Sequence, residues 1–180
     1  MTKRVRTILL VVVAFVLVAA TPATACGPHR MKVGIEGQTV GFNPDPTAVA
    51  ERCPDGFEWI LQTAGTGYLK TAAYHGEVAF RGEHCSRWLT PPVDRALGQI
   101  GDGLMVLTTT DGDELWVAYE GYFKFKGDTA TEWISRVKAR YSVVGGTGTF
   151  EDAEGRGMMR VIDETNVTSG WLRGGLVLDR

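Results

Sequence analysis

Trp133, Val137, Ala139 and Tyr141 alternate with Arg136, Lys138 and Arg140, and the run then passes into Val143-Val144-Gly145-Gly146-Thr147-Gly148-Thr149-Phe150. Alternation of apolar and polar residues over about ten positions is the period of a half-buried strand, and only Ile134 interrupts its polar face. β-Branched residues running into clustered glycines read as a strand that ends in a tight corner. The corner is placed at Gly145, Gly146 and Gly148, and a further strand is expected to start at once with Thr149-Phe150. A chain committed to this pattern builds sheet.

The rest of the sequence supplies more of the same material. Met31, Val33 and Ile35 alternate with Lys32, Gly34 and Glu36 until Asn43-Pro44-Asp45-Pro46 breaks the pattern. Residues 47–52 have room for one helical turn before the Cys53-Pro54-Asp55-Gly56 turn. Residues 57–63 read as a second strand and residues 74–85 as a third, with Tyr74, Val78 and Phe80 on one face. Residues 86–100 contain Pro91-Pro92 and read as a loop, because proline does not fit a central strand. Asp111-Gly112-Asp113 between residues 104–109 and 114–120 is a strong hairpin signal. Tyr122, Phe123 and Phe125 are expected to crowd the next corner, and residues 155–162 and 170–178 complete the series. The expected fold is all-β: a single antiparallel closed barrel of about eight strands, closure removing the exposed edges.

Lys3, Arg4 and Arg6 followed by an apolar run from Ile8 to Ala20 and the small residues before Cys26 form a secretory signal, so residues 1–25 are expected to be removed and the domain to span 26–180. That removal leaves 16 basic against 21 acidic residues, a net charge of −5. A mildly acidic surface argues against nucleic acid or anionic lipid as a partner. Cys26, Cys53 and Cys85 then all lie in an oxidising compartment, and their number is odd. Cys26 would be the first residue after cleavage and is a candidate for lipid attachment, although Ala23 stands where lipoprotein signals usually carry Leu. The envelope or the medium is the expected address, with contact to a membrane only through that lipid.

Val144-Gly145-Gly146-Thr147-Gly148-Thr149-Phe150, with Ala153, Gly155 and Gly157 after it, resembles the signature of the allene oxide cyclase-like barrel superfamily, which takes in the dirigent proteins. Cys53-Pro54-Asp55-Gly56, Gly82-Glu83-His84-Cys85 and Asp111-Gly112-Asp113-Glu114-Leu115 with Tyr119-Glu120-Gly121 resemble its exported bacterial branch, in matching order over about residues 53–157. The resemblance implies an eight-stranded barrel with an apolar-lined interior, a Cys53–Cys85 bridge and a tendency to form homo-oligomers. It implies no single activity, and it carries no catalytic residue onto a numbered position here.

Other motifs favour structure over chemistry. Gly145-Gly146-Thr147-Gly148 lacks the helix that must follow a phosphate-cradling loop, and Gly65-Thr66-Gly67-Tyr68-Leu69-Lys70-Thr71 lacks two of the required glycines. No metal is expected, since His75 and His84 differ in strand parity and His29 is remote in sequence. The acidic Asp111-Gly112-Asp113-Glu114 run is read as a hairpin tip, and no cofactor motif is present. What remains is a set of aromatic and charged residues in strands. Trp116, Tyr119, Glu77 and Arg81 are the candidates for lining a cavity able to take a small apolar molecule. The expected function is an exported barrel without catalysis, binding such a molecule or acting at the cell surface. The alternative is a cofactor-independent isomerase or cyclase in which an inward carboxylate or tyrosine assists.

Overall fold

The computed structural model describes residues 29–92, 95–127, 132–165 and 167–178; the expected signal segment and Cys26 lie outside them. Its strands are β1 (His29–Asn43), β2 (Trp59–Lys70), β3 (His75–Trp88), β4 (Leu97–Thr109), β5 (Glu114–Gly127), β6 (Trp133–Gly146), β7 (Glu154–Glu164) and β8 (Val167–Val177). Each pairs antiparallel with its neighbours in sequence, and β8 pairs with β1 to close the barrel. The closed eight-strand barrel expected from the alternation is therefore present.

Parity decides what lies inside. Met31, Val33 and Ile35 on β1, Val78 and Phe80 on β3, and Ala139, Tyr141 and Val143 on β6 are all buried, whereas Lys32, Arg136, Lys138 and Arg140 between them are exposed. The barrel is apolar within and charged without, the inverse of a barrel that spans a bilayer. Bulges on β1, β4 and β6 reset the phase. Register shifts between Thr39 and Gly41 on β1 and between Ile100 and Gly103 on β4, so that Phe42 and Ile100 point into the upper barrel.

Several strands run longer than the sequence pattern shows. β2 continues through Gly65 and Gly67 to Lys70, beyond the end at 63 expected from the sequence. These glycines answer a packing demand: a Cβ on Gly65 would lie 2.2 Å from the Glu36 carbonyl oxygen and 2.8 Å from the Phe80 ring. β3 extends to Trp88 and β4 begins at Leu97, so the expected loop over 86–100 shrinks to the segment around the two prolines. Tyr122, Phe123 and Phe125 lie within β5 instead of at a corner.

The glycine corner also takes a different course. Gly145 and Gly146 end β6, but Thr149 and Phe150 belong to a 3₁₀ turn (Gly148–Phe150), and β7 starts only at Glu154. Gly148 has φ +54°, in the left-handed region that favours glycine, and a Cβ there would press on the Asp113 carboxylate. The Thr149 amide donates to Asp113 Oδ2 at 2.9 Å, and Thr147 Oγ1 accepts from the Glu114 amide at 2.9 Å, which docks the corner onto the β4–β5 hairpin. Phe150 is thereby turned inward and is fully buried.

The β1–β2 connection carries α1 (Pro46–Arg52), a longer helix than the single turn expected. Asp45 caps it by accepting from the Thr47 and Ala48 amides, with proline in its first turn. Its C-terminal end is held to the barrel wall by the Cys53–Cys85 disulfide and by Arg52, which donates to Glu83 at 2.8 Å and pairs with Asp102. With a sequence separation of 32, the bridge contributes about 4 kcal/mol in the chain-entropy picture.

Candidate functional site

The two ends of the barrel differ. At the end formed by the β2–β3, β4–β5 and β6–β7 connections, Phe150 fills the opening and meets Tyr74 edge-on at 6.3 Å. Leu69, Leu107, Leu115, Val117, Leu172 and Leu176 complete a core with essentially no exposure. At the other end lies a cavity of about 580 Å³, open to solvent and lined by residues of seven strands and Pro92.

Six aromatic side chains shape that mouth: Phe42, Trp59, Trp88, Phe123, Phe125 and Trp133. They brace one another. Trp88 contacts Trp59, Phe123 and Phe125 at centroid distances of 5.2–5.6 Å, and Phe125 stacks on Trp133 at 5.9 Å. Such edge-to-face and offset contacts hold the rings in place without closing the space between them. Glycine makes room below: a Cβ on Gly98 would overlap the Phe123 ring, and one on Gly103 would press on Tyr119.

Beneath the rings the wall turns polar. His84, Ser86, Ser135 and Asp163 all line the cavity, and each is more than nine-tenths buried. His84 Nδ1 lies 2.9 Å from the Tyr119 hydroxyl. Burial pushes the His84 pKa down to about 4, against a small opposing pull from Glu83, and so keeps the ring neutral. Burial, reinforced by the negative charges of Asp163 and Glu83, also pushes the Tyr119 pKa far up, so its hydroxyl stays protonated. The arrangement that leaves no buried O–H unpaired has Tyr119 donating to Nδ1. The ring hydrogen is then on Nε2, which has no protein partner among the described residues.

Asp163 stands on β7, across the ring of strands from His84, between Ser135 on β6 and Thr168 on β8 in direct register. Thr168 Oγ1 donates to its Oδ1 at 2.7 Å. Desolvation raises the Asp163 pKa, and the Thr168 hydrogen bond offsets only part of that. Among the described residues no lysine or arginine pairs with it. A buried carboxyl without a counter-ion is a costly feature in an apolar setting.

Of the four cavity candidates read from the sequence, Tyr119 is inside the barrel, where its hydroxyl meets His84 of the polar wall, although it does not itself line the cavity. The other three are not inside. Val78 and Phe80 take the inward phase of β3, so Glu77 and Arg81 project outward into solvent. Leu115, Val117 and Tyr119 take the inward phase of β5, which leaves Trp116 on the outer face with its indole N–H donating to Glu114 at 2.9 Å. Trp116 borders a separate, solvent-open hollow beside the glycine corner. His75 is exposed and His84 buried, the opposite orientations that their parity predicts.

Asp163, Ser135 and Ser86 had not been singled out. Each is a polar residue in an apolar inward series: Met159-Val161-Asp163, Trp133-Ser135-Val137 and Phe80-His84-Ser86. That break in phase is the signal that could have found them.

The chain matches no family model, and neither curated proteins nor solved structures include one that matches it.

Proposed function

We propose that this protein binds a small apolar molecule in the open end of its barrel and does no chemistry on it. The observation that carries this reading is the aromatic mouth: six rings around about 580 Å³, with a few polar groups at its base. Ligand sites commonly have that size and that mixture, apolar surface for affinity and sparse polar groups for orientation. The closed eight-strand architecture also supports kinship with the allene oxide cyclase-like barrels that the glycine signature resembles. The Cys53–Cys85 bridge supports an address outside the reducing cytoplasm, in the cell envelope or beyond it.

Titration with 1-naphthol, a small neutral aromatic, tests the reading through tryptophan emission, since Trp59, Trp88 and Trp133 line the cavity. The expected result is a saturable change at one site per chain. Ser135→Phe, which places a ring within the cavity, is expected to weaken it at least tenfold. A change that does not saturate, or that survives Ser135→Phe unaltered, would overturn the proposal.

One observation favours a second reading, a cofactor-independent isomerase or cyclase: the titratable groups His84 and Asp163 line one apolar cavity, with Tyr119 hydrogen-bonded to His84. Desolvation raises the Asp163 pKa, and a carboxyl at the wall of an apolar site is the kind of group that donates or accepts a proton in such a reaction. Loss of turnover in Asp163→Asn, with ligand affinity kept, would establish that reading over simple binding.

A further inference from the structure

Asp163 poses a problem that the binding reading alone does not answer. Its side chain is 7% exposed and lies at the wall of an apolar, aromatic cavity. Thr168 satisfies Oδ1, while the other oxygen has no protein partner among the described residues. The neighbours on either side in register, Ser135 and Thr168, are uncharged, and the titratable group across the cavity is the neutral His84, which is hydrogen-bonded to the protonated Tyr119. A carboxyl so placed is stabilised when something entering the cavity brings the missing positive charge.

The surrounding rings point to the same kind of visitor. Phe125 is the register partner of Ser135, which is itself paired with Asp163, and Phe125 stacks on Trp133 at 5.9 Å. The faces of tryptophan and phenylalanine attract cations, most strongly where water is excluded, and several rings around one site form the cage that suits an alkylated ammonium group. A hydrated metal ion does not fit this chemistry, because the wall offers it one carboxylate and mostly hydrocarbon.

We propose that the cavity takes a small organic cation, an amine or quaternary ammonium ion carrying an apolar group, with Asp163 as its counter-ion. The proposal rests on the reading of the mouth as a ligand site and names the class of ligand. The apolar part lies among Trp59, Trp88 and Phe123, and the charged end lies against Asp163, Phe125 and Trp133. The protein then discriminates by charge as well as by shape, since a neutral ligand leaves the carboxyl unpaired and an anion is repelled by it.

Three probes of nearly equal size separate the outcomes: (2-naphthylmethyl)trimethylammonium, its uncharged isostere 2-neopentylnaphthalene, and 2-naphthylacetate. Binding is read from tryptophan emission of the intact protein. The expected order is cation, then neutral, then anion, with the cation at least tenfold tighter than the isostere. Asp163→Asn, which keeps an acceptor for Thr168, is expected to bring cation and isostere to equal affinity, with the isostere's own affinity serving as the control for folding. Equal affinities in the unaltered protein, or a preference for the cation that survives Asp163→Asn, would overturn the organic-cation assignment and leave the mouth as a ligand site. Failure of all three probes to bind would overturn both. The affinity order in the unaltered protein decides the matter even if the variant does not fold.

Discussion

The same eight strands build two unlike ends. The closed end is packed mainly with aliphatic and aromatic side chains and is stoppered by Phe150, whereas the open end sets rings around its rim and leaves the middle empty. The closed end supplies core, where buried hydrocarbon stabilises the fold. At the open end that packing is given up, and buried polar groups appear that no core requires. The contrast teaches that in this barrel stability and recognition are divided along its axis, so substitutions at the two ends should separate the two properties.

The largest expected effect tests the division directly. Phe150→Ala at the fully buried plug should lower unfolding free energy by about 3–5 kcal/mol, as for other buried phenylalanines. Phe42→Ala at the rim, 62% exposed, should cost less than about 1 kcal/mol and weaken probe binding instead. Urea unfolding of both variants beside 1-naphthol titration checks this, and equal losses of stability would erase the distinction between the ends.

A somewhat smaller effect concerns pH. An unfolded histidine takes up its proton near 6.5, whereas folded His84 does so only near 4. Between those values acid protonates the unfolded chain alone, so stability falls as pH drops from about 6.5 to about 4, by about 3 kcal/mol from this residue. Below that window the loss levels off. Asp163 acts in the opposite sense: its folded pKa is raised above the unfolded 3.8, so it destabilises the fold as pH rises through that range and relieves it on acidification. His84→Gln should therefore gain on the parent protein as pH falls from about 7 to about 4. Parallel pH–stability curves would mean that His84 is not held neutral by burial.

The smallest expected effect sharpens the contrast between inside and outside. Arg81→Ala and Glu77→Ala alter outward side chains, and Arg81 is 75% exposed with only a 3.7 Å approach to Glu114. Both should leave unfolding free energy within about 0.5 kcal/mol and probe affinity unchanged. A clear loss of binding in either would place the ligand on the outer wall.

The fold was legible because a barrel with a dry interior imposes period two on nearly every strand, as in Trp133 to Val143. Lengths were less legible, since Gly65 and Gly67 serve close packing against neighbouring backbone in the middle of a strand and look locally like turn residues. The site was harder still. Glu77 and Arg81 drew attention as charges in a strand, but their outward phase is settled by the adjacent apolar residues Val78 and Phe80. Bulges on β1 and β4 reverse that phase partway along, so Phe42 and Ile100 cannot be assigned to the mouth without the register. The placing of His84, with its partner Tyr119, opposite Asp163 depends on three non-adjacent strands meeting across the closed sheet, which no local pattern records.

The five tryptophans provide the most direct test. Trp59, Trp88 and Trp133 line the mouth, Trp116 is on the outer face, and Trp171 is flanked by Arg160 and Arg173 at 5.6 and 4.7 Å. Protein labelled with 5-fluorotryptophan, its resonances assigned by single Trp→Phe substitutions, is titrated with 1-naphthol and followed by fluorine NMR. Movement of the Trp59, Trp88 and Trp133 resonances, with those of Trp116 and Trp171 unmoved, is the predicted result. Movement of Trp116 or Trp171 alone, or of none of the five, would contradict a ligand site in the mouth of the barrel.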